Sequence, residues 1–383
     1  MLARRQFVKG LSALSYARVQ GANQRVRIGG MGTGGRCQSL LNLAVQAGCD
    51  LVAVCDVYEP RRTQVKQKLA PGAREFVDYQ KLLEQKDIDA VVIGSPDHWH
   101  VPMTIDAIRA GKDVYVEKPV SHTIAEGEEL ARAMLGSRQI VQVGYQQRSW
   151  DHFVEARKLM PKLGKVTLVL ASWYQAYYRT ARGPVEADPQ KLDWKRFLGS
   201  AREQPFDPVR FRHWRWFWDF GGGHLTDLYS HYGDVIHWYM DQDAPLAAQA
   251  MGGSYALPQF ECPDTITAAW KYPGFAINYT GTLVGSLDGG NIVFRGSRAV
   301  MKINRDGFAI YPEGAVPSEK THYPDAEIQM RSLEDGTRAH MANFLDCVRS
   351  RKPPNAPPQV GISAARAAHL ANQTLLTSTR LSP

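Results

Sequence analysis

A glycine-rich turn near the start of the chain constrains its fold more than any other feature. A short run, Val26 to Gly29, leads into Gly30-x-Gly32-x-x-Gly35, and a helical pattern begins at Arg36. Such a turn lets the backbone approach a pyrophosphate, and the next helix directs its N-terminal N–H groups at the charge. Glycine-rich turns are common, so the motif depends on its context.

A carboxylate lies at the distance that a dinucleotide site requires. A second apolar run, Leu51 to Cys55, ends in Asp56, 21 residues after Gly35. In dinucleotide-binding folds a carboxylate at this place binds the ribose hydroxyls. The alternative is an ordinary tight turn followed by a surface aspartate.

The first part of the chain, 25–148, alternates short apolar runs with helical patterns. This alternation predicts βαβ units and a parallel sheet, and therefore a Rossmann domain. Fully apolar runs such as Ala90 to Ile93 suit strands that are buried on both faces. We predict strands near 26–29, 51–55, 74–77, 89–94, 113–116 and 140–143, and helices near 36–47, 59–69, 79–85, 100–111 and 123–137.

The pattern changes in 149–352, where strand-like runs follow one another with glycine-containing turns between them. Strands without intervening helices predict an α+β domain with an open, mainly antiparallel sheet. One helical pattern, His224 to Met240, interrupts them, and 353–383 holds a proline-rich connector and a further helix near 361–376. Predicted strands lie at 166–172, 247–253, 265–272, 275–283, 291–295 and 299–303.

The net charge of +8 is concentrated at the N-terminus, where residues 1–27 contain six basic residues and the first acid is Asp50. The rest is nearly neutral, which argues against a nucleic-acid surface. The five cysteines form no CxxC pair, and no apolar run is long enough to span a membrane.

Segment 1–24 contains Arg4-Arg5-x-Phe7-x-Lys9, which resembles the twin-arginine export motif and predicts a periplasmic protein. The alternative is a basic arm on a cytoplasmic protein.

Two polar motifs follow predicted strands, where the carboxyl ends of a parallel sheet form a ligand crevice. Ser95-Pro96-Asp97-His98-Trp99-His100 follows the fourth strand, and its alternative role is a helix cap with aromatic neighbours. Glu117-Lys118-Pro119 follows the fifth strand. Lys118 could there donate to a substrate hydroxyl or lower the pKa of a neighbouring acid.

A third motif, Gly221 to His231, opens the helix of the second domain. Asp227 and His231 are four residues apart and would share one helical face, with the carboxylate orienting the imidazole as a proton acceptor. His224 lies near the same face, so a metal site is an alternative, but no fourth ligand is evident and we predict no metal. A capped helix with a buried polar pair is the structural alternative.

Together the three motifs resemble the glucose–fructose oxidoreductase/inositol dehydrogenase (Gfo/Idh/MocA) family, from Val26 to about Leu376. The resemblance implies that Lys118 and His231 act at the reacting carbon with Asp227 in support, and that the substrate lies between the nicotinamide and the open sheet. Asp56 favours NAD because it would repel a 2′-phosphate, whereas Arg61 and Arg62 leave NADP as the alternative. We assign cofactor contacts to Gly30, Gly32, Thr33, Gly34, Gly35, Arg36, Asp56, Pro96, Asp97, Trp99, His100, Glu117, Lys118 and Gln146.

Aromatic residues concentrate in the second domain, and aromatic faces pack against the C–H faces of sugars, although core packing accounts for about half of them. We assign substrate contacts to Arg148, Trp173, Tyr174, Tyr178 and His224. The expected activity is NAD-dependent oxidation of a sugar or polyol. A glycoside hydrolase or lyase with transient sugar oxidation and retained NAD is the main alternative, and a non-catalytic NAD-binding protein is the third. An open sheet predicts a homodimer or homotetramer.

Overall fold

The computed structural model describes residues 25–313 and 325–377. The predicted export segment, 1–24, lies outside the described residues. Within the described part, no helix has both the length and the apolar character that a membrane crossing demands. All five cysteines are buried thiols.

The first domain is a six-stranded parallel sheet in the order β3-β2-β1-β4-β5-β6, with helices between its strands. The order reverses between β1 and β4, which is where doubly wound sheets bind their ligands. The strands are β1 Arg27–Met31, β2 Asp50–Cys55, β3 Arg74–Phe76, β4 Ala90–Ile93, β5 Asp113–Val116 and β6 Val141–Val143. The helices are α1 Gly35–Gln46, α2 Glu59–Leu69, α3 Tyr79–Leu83, α4 His100–Arg109 and α5 Ile124–Ala133.

The second domain contains an eight-stranded sheet in the order β14-β13-β12-β11-β7-β10-β9-β8. Only β7 and β10 pair in parallel, so the predicted mainly antiparallel sheet is confirmed. The strands are β7 Val166–Tyr174, β8 Ala247–Gly253, β9 Thr265–Tyr272, β10 Phe275–Thr282, β11 Gly290–Gly296, β12 Ala299–Asn304, β13 Gly307–Pro312 and β14 Ile328–Arg331. The last two strands were not predicted.

One face of this sheet packs on helices and the other is open. In β9, Ile266, Ala268, Trp270 and Tyr272 are buried, whereas the alternate residues are largely exposed. The buried face contacts the long helices α10 Ser230–Met240 and α12 Pro358–Thr377. Trp270 donates from its indole nitrogen to the carbonyl of Ala367, 2.9 Å away, which fixes α12 on the sheet.

The remaining helices tie the domains together. The helix α11, Gly336–Ser350, was not predicted, and it packs on α1 of the first domain. The predicted C-terminal helix is α12, which packs against α5 as well as the second sheet. The shorter helices are α6 Asp151–Lys158, α7 Tyr178–Ala181, α8 Trp194–Leu198 and α9 Pro208–Arg212.

Residues 177–220, which we call the aromatic segment, reach from the second domain back to the first. Their core contains Phe197, Phe211, Trp216 and Phe220. The carbonyl of Phe197 accepts hydrogen bonds from the ring nitrogens of His98, at 2.9 Å, and Trp99, at 3.0 Å. This segment therefore covers the carboxyl edge of the parallel sheet.

Candidate active site

The glycine-rich turn follows β1 and has the shape that a phosphate group requires. Gly32 has a φ of 70°, and a Cβ there would lie 2.5 Å from the backbone of Ser95, so only glycine fits. A Cβ at Gly30 would lie 2.6 Å from the Leu41 side chain, which explains the close packing of α1 on the sheet. Gly34 and Gly35 face open space, with nothing within 4 Å of an added Cβ. A pyrophosphate fits that space, next to the N-terminus of α1.

Asp56, directly after β2, has a free acceptor in a buried place. Its Oδ1 accepts a hydrogen bond from the backbone N–H of Tyr58 at 2.9 Å. Its Oδ2 is buried and has no hydrogen-bond partner among the described residues; Arg61 Nη1 lies 3.9 Å away. Burial raises the pKa of this carboxyl, although Arg61 acts in the opposite direction. A ribose hydroxyl would satisfy Oδ2, so the residues present fit a dinucleotide.

A cavity of about 530 Å³, which we call the dinucleotide cavity, extends from the glycine-rich turn past Asp56. Both domains form its walls, because Arg196, Phe197 and Trp214 of the aromatic segment face the first domain across it. Seven of the predicted cofactor residues line it: Gly32, Gly34, Gly35, Arg36, Asp56, Pro96 and Trp99. Gly30 and Thr33 belong to the same turn but do not line the cavity.

A second cavity of about 410 Å³ adjoins the first and shares Arg36, Ser95 and Arg215 with it. We call it the reaction cavity. It is lined by the three predicted catalytic residues, Lys118, Asp227 and His231, and by Trp173. The other predicted cofactor residues also lie here: Asp97, His100, Glu117 and Gln146.

Glu117 and Arg36 form a buried pair at the junction of the two cavities. Arg36 Nε donates to Glu117 Oε1 at 2.7 Å. Burial opposes ionisation of Glu117, but Arg36 and then Lys118 outweigh it and lower the pKa of the carboxyl. Glu117 therefore holds Arg36 beside the glycine-rich turn.

Asp227 is held by two cations. Lys118 Nζ donates to its Oδ1 at 2.6 Å, and Arg215 Nε donates to the same oxygen at 3.1 Å. Burial alone would raise the pKa of Asp227, but Lys118 and Arg215 lower it to about 2. The carboxylate therefore stays ionised at neutral pH.

His231 is oriented by aromatic rings, and no hydrogen bond joins its imidazole to the Asp227 carboxylate that was predicted to orient it. The reason is local: residues Leu225–Tyr229 form a π-helical turn, which holds more residues per turn than an α-helix and changes the relative directions of the two side chains. Trp173 stacks on the imidazole at 5.8 Å, and Tyr145 meets it edge-on at 6.2 Å. Burial, followed by Lys118, lowers the pKa of His231 well below its ordinary value, so the ring is neutral.

Of the five predicted substrate residues, only Trp173 lines the reaction cavity. Arg148 is instead paired with Asp234 at 2.9 Å, and Tyr174 bonds Thr280 through its hydroxyl. Tyr178 bonds Arg182, and buried His224 bonds the hydroxyl of Tyr279 through Nδ1 at 2.7 Å. Across 25–313 and 325–377, no three His, Cys, Asp or Glu side chains are grouped as a metal site.

The reaction cavity also contains residues that the sequence reasoning did not select. Trp214 and Arg215 belong to the aromatic segment, and Arg305 lies in the turn between β12 and β13. Trp214 to Trp218 is one of the aromatic clusters of the second domain, and the arginine within it was not among the predicted site residues. No local signal marks Arg305, because the sheet brings it to the cavity from a distant part of the chain.

The fold and the two adjoining cavities define a two-domain oxidoreductase that binds a nicotinamide dinucleotide. Residues 25–145 match the oxidoreductase family with an NAD-binding Rossmann fold, and 163–381 match the C-terminal α/β domain of the same family. The chain belongs to the Gfo/Idh/MocA oxidoreductase family, as its motifs predict.

Individual relatives are more distant. An inositol 2-dehydrogenase of Salmonella paratyphi B is 26% identical over 159 residues, which are 40% of this chain and 47% of that protein. An α-N-acetylgalactosaminidase of Tannerella forsythia is 36% identical over 115 residues, 26% of this chain and 24% of that protein. Levoglucosan dehydrogenase, solved with NADH and levoglucosan, superposes with a TM-score of 0.73 at 13% identity, over 92% of this chain and 97% of that one. The match to the inositol dehydrogenase spans about half of that enzyme.

Proposed function

We propose that this protein oxidises a secondary hydroxyl of a sugar or sugar derivative with NAD. One observation carries the proposal: Lys118, Asp227 and His231 come together in the reaction cavity, which opens into the cavity of the dinucleotide. The residues of the larger cavity would hold the dinucleotide, whose nicotinamide would supply the hydride acceptor for the carbinol carbon. The face of Trp173 gives the pyranose ring a packing surface beside His231.

The residues of the reaction cavity divide the proton chemistry between them. Neutral His231 can accept the hydroxyl proton, since the depressed pKa keeps the ring unprotonated at neutral pH. Lys118 can donate a hydrogen bond to the same hydroxyl oxygen from its ammonium group. Ionised Asp227 holds the Lys118 ammonium in place beside His231.

The proposal is tested with a panel of sugars and polyols and added NAD. The expected result is accumulation of reduced nicotinamide with at least one of them, and its loss in the Lys118→Met variant. Binding of the cofactor, followed by fluorescence of reduced nicotinamide, should persist in that variant. A protein that binds the cofactor but oxidises no member of a broad panel would count against net dehydrogenation.

The enclosure of the dinucleotide cavity favours a second candidate, a glycosidase or lyase that oxidises its sugar transiently and then returns the hydride. The aromatic segment is attached to the first domain beside this cavity: the Asp193 N–H donates to the Val57 carbonyl at 3.0 Å, and the Arg61 guanidinium lies 4.8 Å from the centre of the Phe211 ring. Exchange of the cofactor would require these contacts to open. Slow exchange suits a redox-neutral cycle, and such a cycle also suits the export predicted for segment 1–24.

The two candidates differ in what the purified protein contains and releases. The second candidate predicts nearly one nicotinamide per chain after denaturation, with none added during purification. It also predicts release of the aglycone from aryl glycosides without accumulation of reduced nicotinamide. A protein that is purified empty and needs added NAD for every turnover would exclude it and leave the dehydrogenase.

A further inference from the structure

Arg305 is a cation of the reaction cavity that has no assigned role. It lies between β12 and β13, and its guanidinium carbon is 4.9 Å from the centre of the Trp173 ring. Trp173 in turn stacks on His231. The guanidinium and the imidazole thus contact the same indole ring, in the cavity where the substrate would bind.

The other cations of this cavity have carboxylate partners. Arg36 pairs with Glu117, and both Lys118 and Arg215 pair with Asp227. Arg305 forms no hydrogen bond or ion pair with any of the described residues, and its Nε is buried. Asp335, the N-cap of α11, and Asp227 both act on Arg305 electrostatically, but neither carboxylate forms an ion pair with it.

Arg305 is half-buried, and a guanidinium that is partly removed from water without an anion beside it is destabilised, so burial lowers the pKa of Arg305. The stacking on Trp173 offsets part of this cost. An anionic ligand would remove the rest. The pyrophosphate of the cofactor does not supply it, because Arg305 does not line the dinucleotide cavity.

We propose that Arg305 binds a carboxylate of the substrate, and that the substrate is therefore an acidic sugar of the hexuronate class. A guanidinium can bind a carboxylate with two parallel hydrogen bonds. Among the described residues that line the reaction cavity, Arg305 is the one cation without an ion pair, and a single cation matches a monoanion better than a phosphate dianion. The identification of the ligand as a sugar rests on the proposed function. Its negative charge is inferred from the surroundings of Arg305.

The test compares sugars that differ only at the carboxylate. Calorimetry on the protein loaded with reduced nicotinamide measures the affinity for glucuronate against glucose and for galacturonate against galactose. The acidic member of at least one pair should bind roughly 10- to 100-fold more tightly, as expected for a charge-assisted contact. Arg305→Gln should remove this difference, and Arg305→Lys should restore part of it. Arg295 is an exposed residue of β11, and Arg295→Gln is the matched control, which should leave the difference in affinity intact.

Two results would overturn the inference: acidic sugars that bind no better than their neutral counterparts, or an Arg305→Gln variant that weakens both equally. Binding of reduced nicotinamide by each variant checks that it folds. Hydride transfer is measured separately with NAD. A preference for acidic sugars without hydride transfer would refute the proposed function and support the role of Arg305. Oxidation of neutral sugars alone would support the proposed function and refute the role of Arg305.

Discussion

Lys118 Nζ lies 2.6 Å from both the Oδ1 and the backbone carbonyl oxygen of Asp227. Lys118 follows β5 of the first domain, and Asp227 belongs to the π-helical turn of the second domain. The two side chains are largely buried, with 10% and 16% of their surface exposed. One pair of residues therefore sets the spacing of the two domains at the reacting position.

Replacing Asp227 by Asn should separate its charge from its shape. The amide keeps the size of the side chain but leaves Lys118 and Arg215 without their anion, and an uncompensated buried charge is costly. We expect kcat to fall by roughly 10²-fold or more. Asp234→Asn breaks the Arg148 pair outside both cavities and is the matched control, expected to lower the melting temperature while kcat is retained. Equal effects of the two variants on kcat would contradict a specific role for Asp227.

Removal of the His231 imidazole should abolish the proton acceptor and leave the cofactor site intact. His231→Ala is expected to lose roughly 10²- to 10⁴-fold in kcat, the usual contribution of a general base. His237→Gln alters the same helix at a ring that bonds Ser363 and Tyr272, so it should retain kcat. In the unaltered enzyme the acidic limb of kcat/KM should lie below pH 6.5, because burial lowers the pKa of His231. Persistence of that limb in His231→Ala would assign it to another group.

Asp56 should determine the preference between NAD and NADP. The free Oδ2 of Asp56 can accept from a ribose hydroxyl but would repel a 2′-phosphate. In Asp56→Ala we expect the affinity for NAD to fall roughly 10- to 100-fold, with a smaller change for NADP. Titration of the empty protein with both cofactors measures this. Unchanged affinities for both would remove Asp56 from the site.

Stability should decline on mild acidification because several buried neutral histidines take up protons more readily in the unfolded state. Burial lowers the pKa of six histidines to between about 3 and about 4: His98, His100, His224, His237, His340 and His369. Each titrates near pH 6.5 when unfolded, so the unfolded state binds more protons below that pH. These rings make their full contribution to the free energy of unfolding above about pH 6.5. The contribution is lost progressively toward pH 4, at about 1.4 kcal/mol per pH unit for each ring.

Thermal melts across this range check the pH dependence. The melting temperature should be nearly constant above pH 7 and fall steeply between about pH 6.5 and 5. His340→Gln, which can keep the hydrogen bond to the Val143 carbonyl, should give a shallower slope. A melting temperature that stays constant down to pH 5 would show that these histidines do not drive acid unfolding.

Chelation of divalent ions should not affect the reaction. His224 is bonded to Tyr279, and Asp227 is bonded to Lys118 and Arg215, so neither is available as a ligand without rearrangement. Prolonged treatment with EDTA is expected to leave hydride transfer unchanged. Activity that is lost and then restored by a divalent ion would refute this, and His224→Gln would then be the first variant to make.

The first domain could be predicted from the sequence almost strand by strand. Its strands are short, fully buried runs separated by helices, and local patterns of this kind are the most dependable. Asp56 was found because its distance from the glycine-rich turn is fixed by one βαβ unit. Helix α11 was missed, although Asp335 caps it and Met341, Phe344 and Leu345 lie on its buried face.

The reaction cavity was only partly predictable, because its geometry depends on contacts between distant segments. The four-residue spacing predicted that Asp227 orients His231. The π-helical turn that separates the two side chains could not be predicted, because it leaves no signal in the apolar periodicity of the sequence. Arg148 was expected to bind substrate, but its contacts with Asp234 and Trp238 are set by the tertiary fold. Arg305 reaches the cavity only through the pairing of β12 and β13.

The π-helical turn at Leu225–Tyr229 makes the catalytic layout sensitive to a single codon. A π turn is an α-helical turn that has gained one residue. Loss of the codon for Leu228 or Tyr229 would shorten the spacing of Asp227 and His231 by one residue and, in a regular α-helix, change the angle between their side chains by about 100°, the angle that one residue subtends. The histidine would then leave Trp173, although every catalytic residue type would still be encoded. An alignment that is checked only for the presence of the catalytic residues would not detect such a change. A comparison of the number of residues in this turn would detect it.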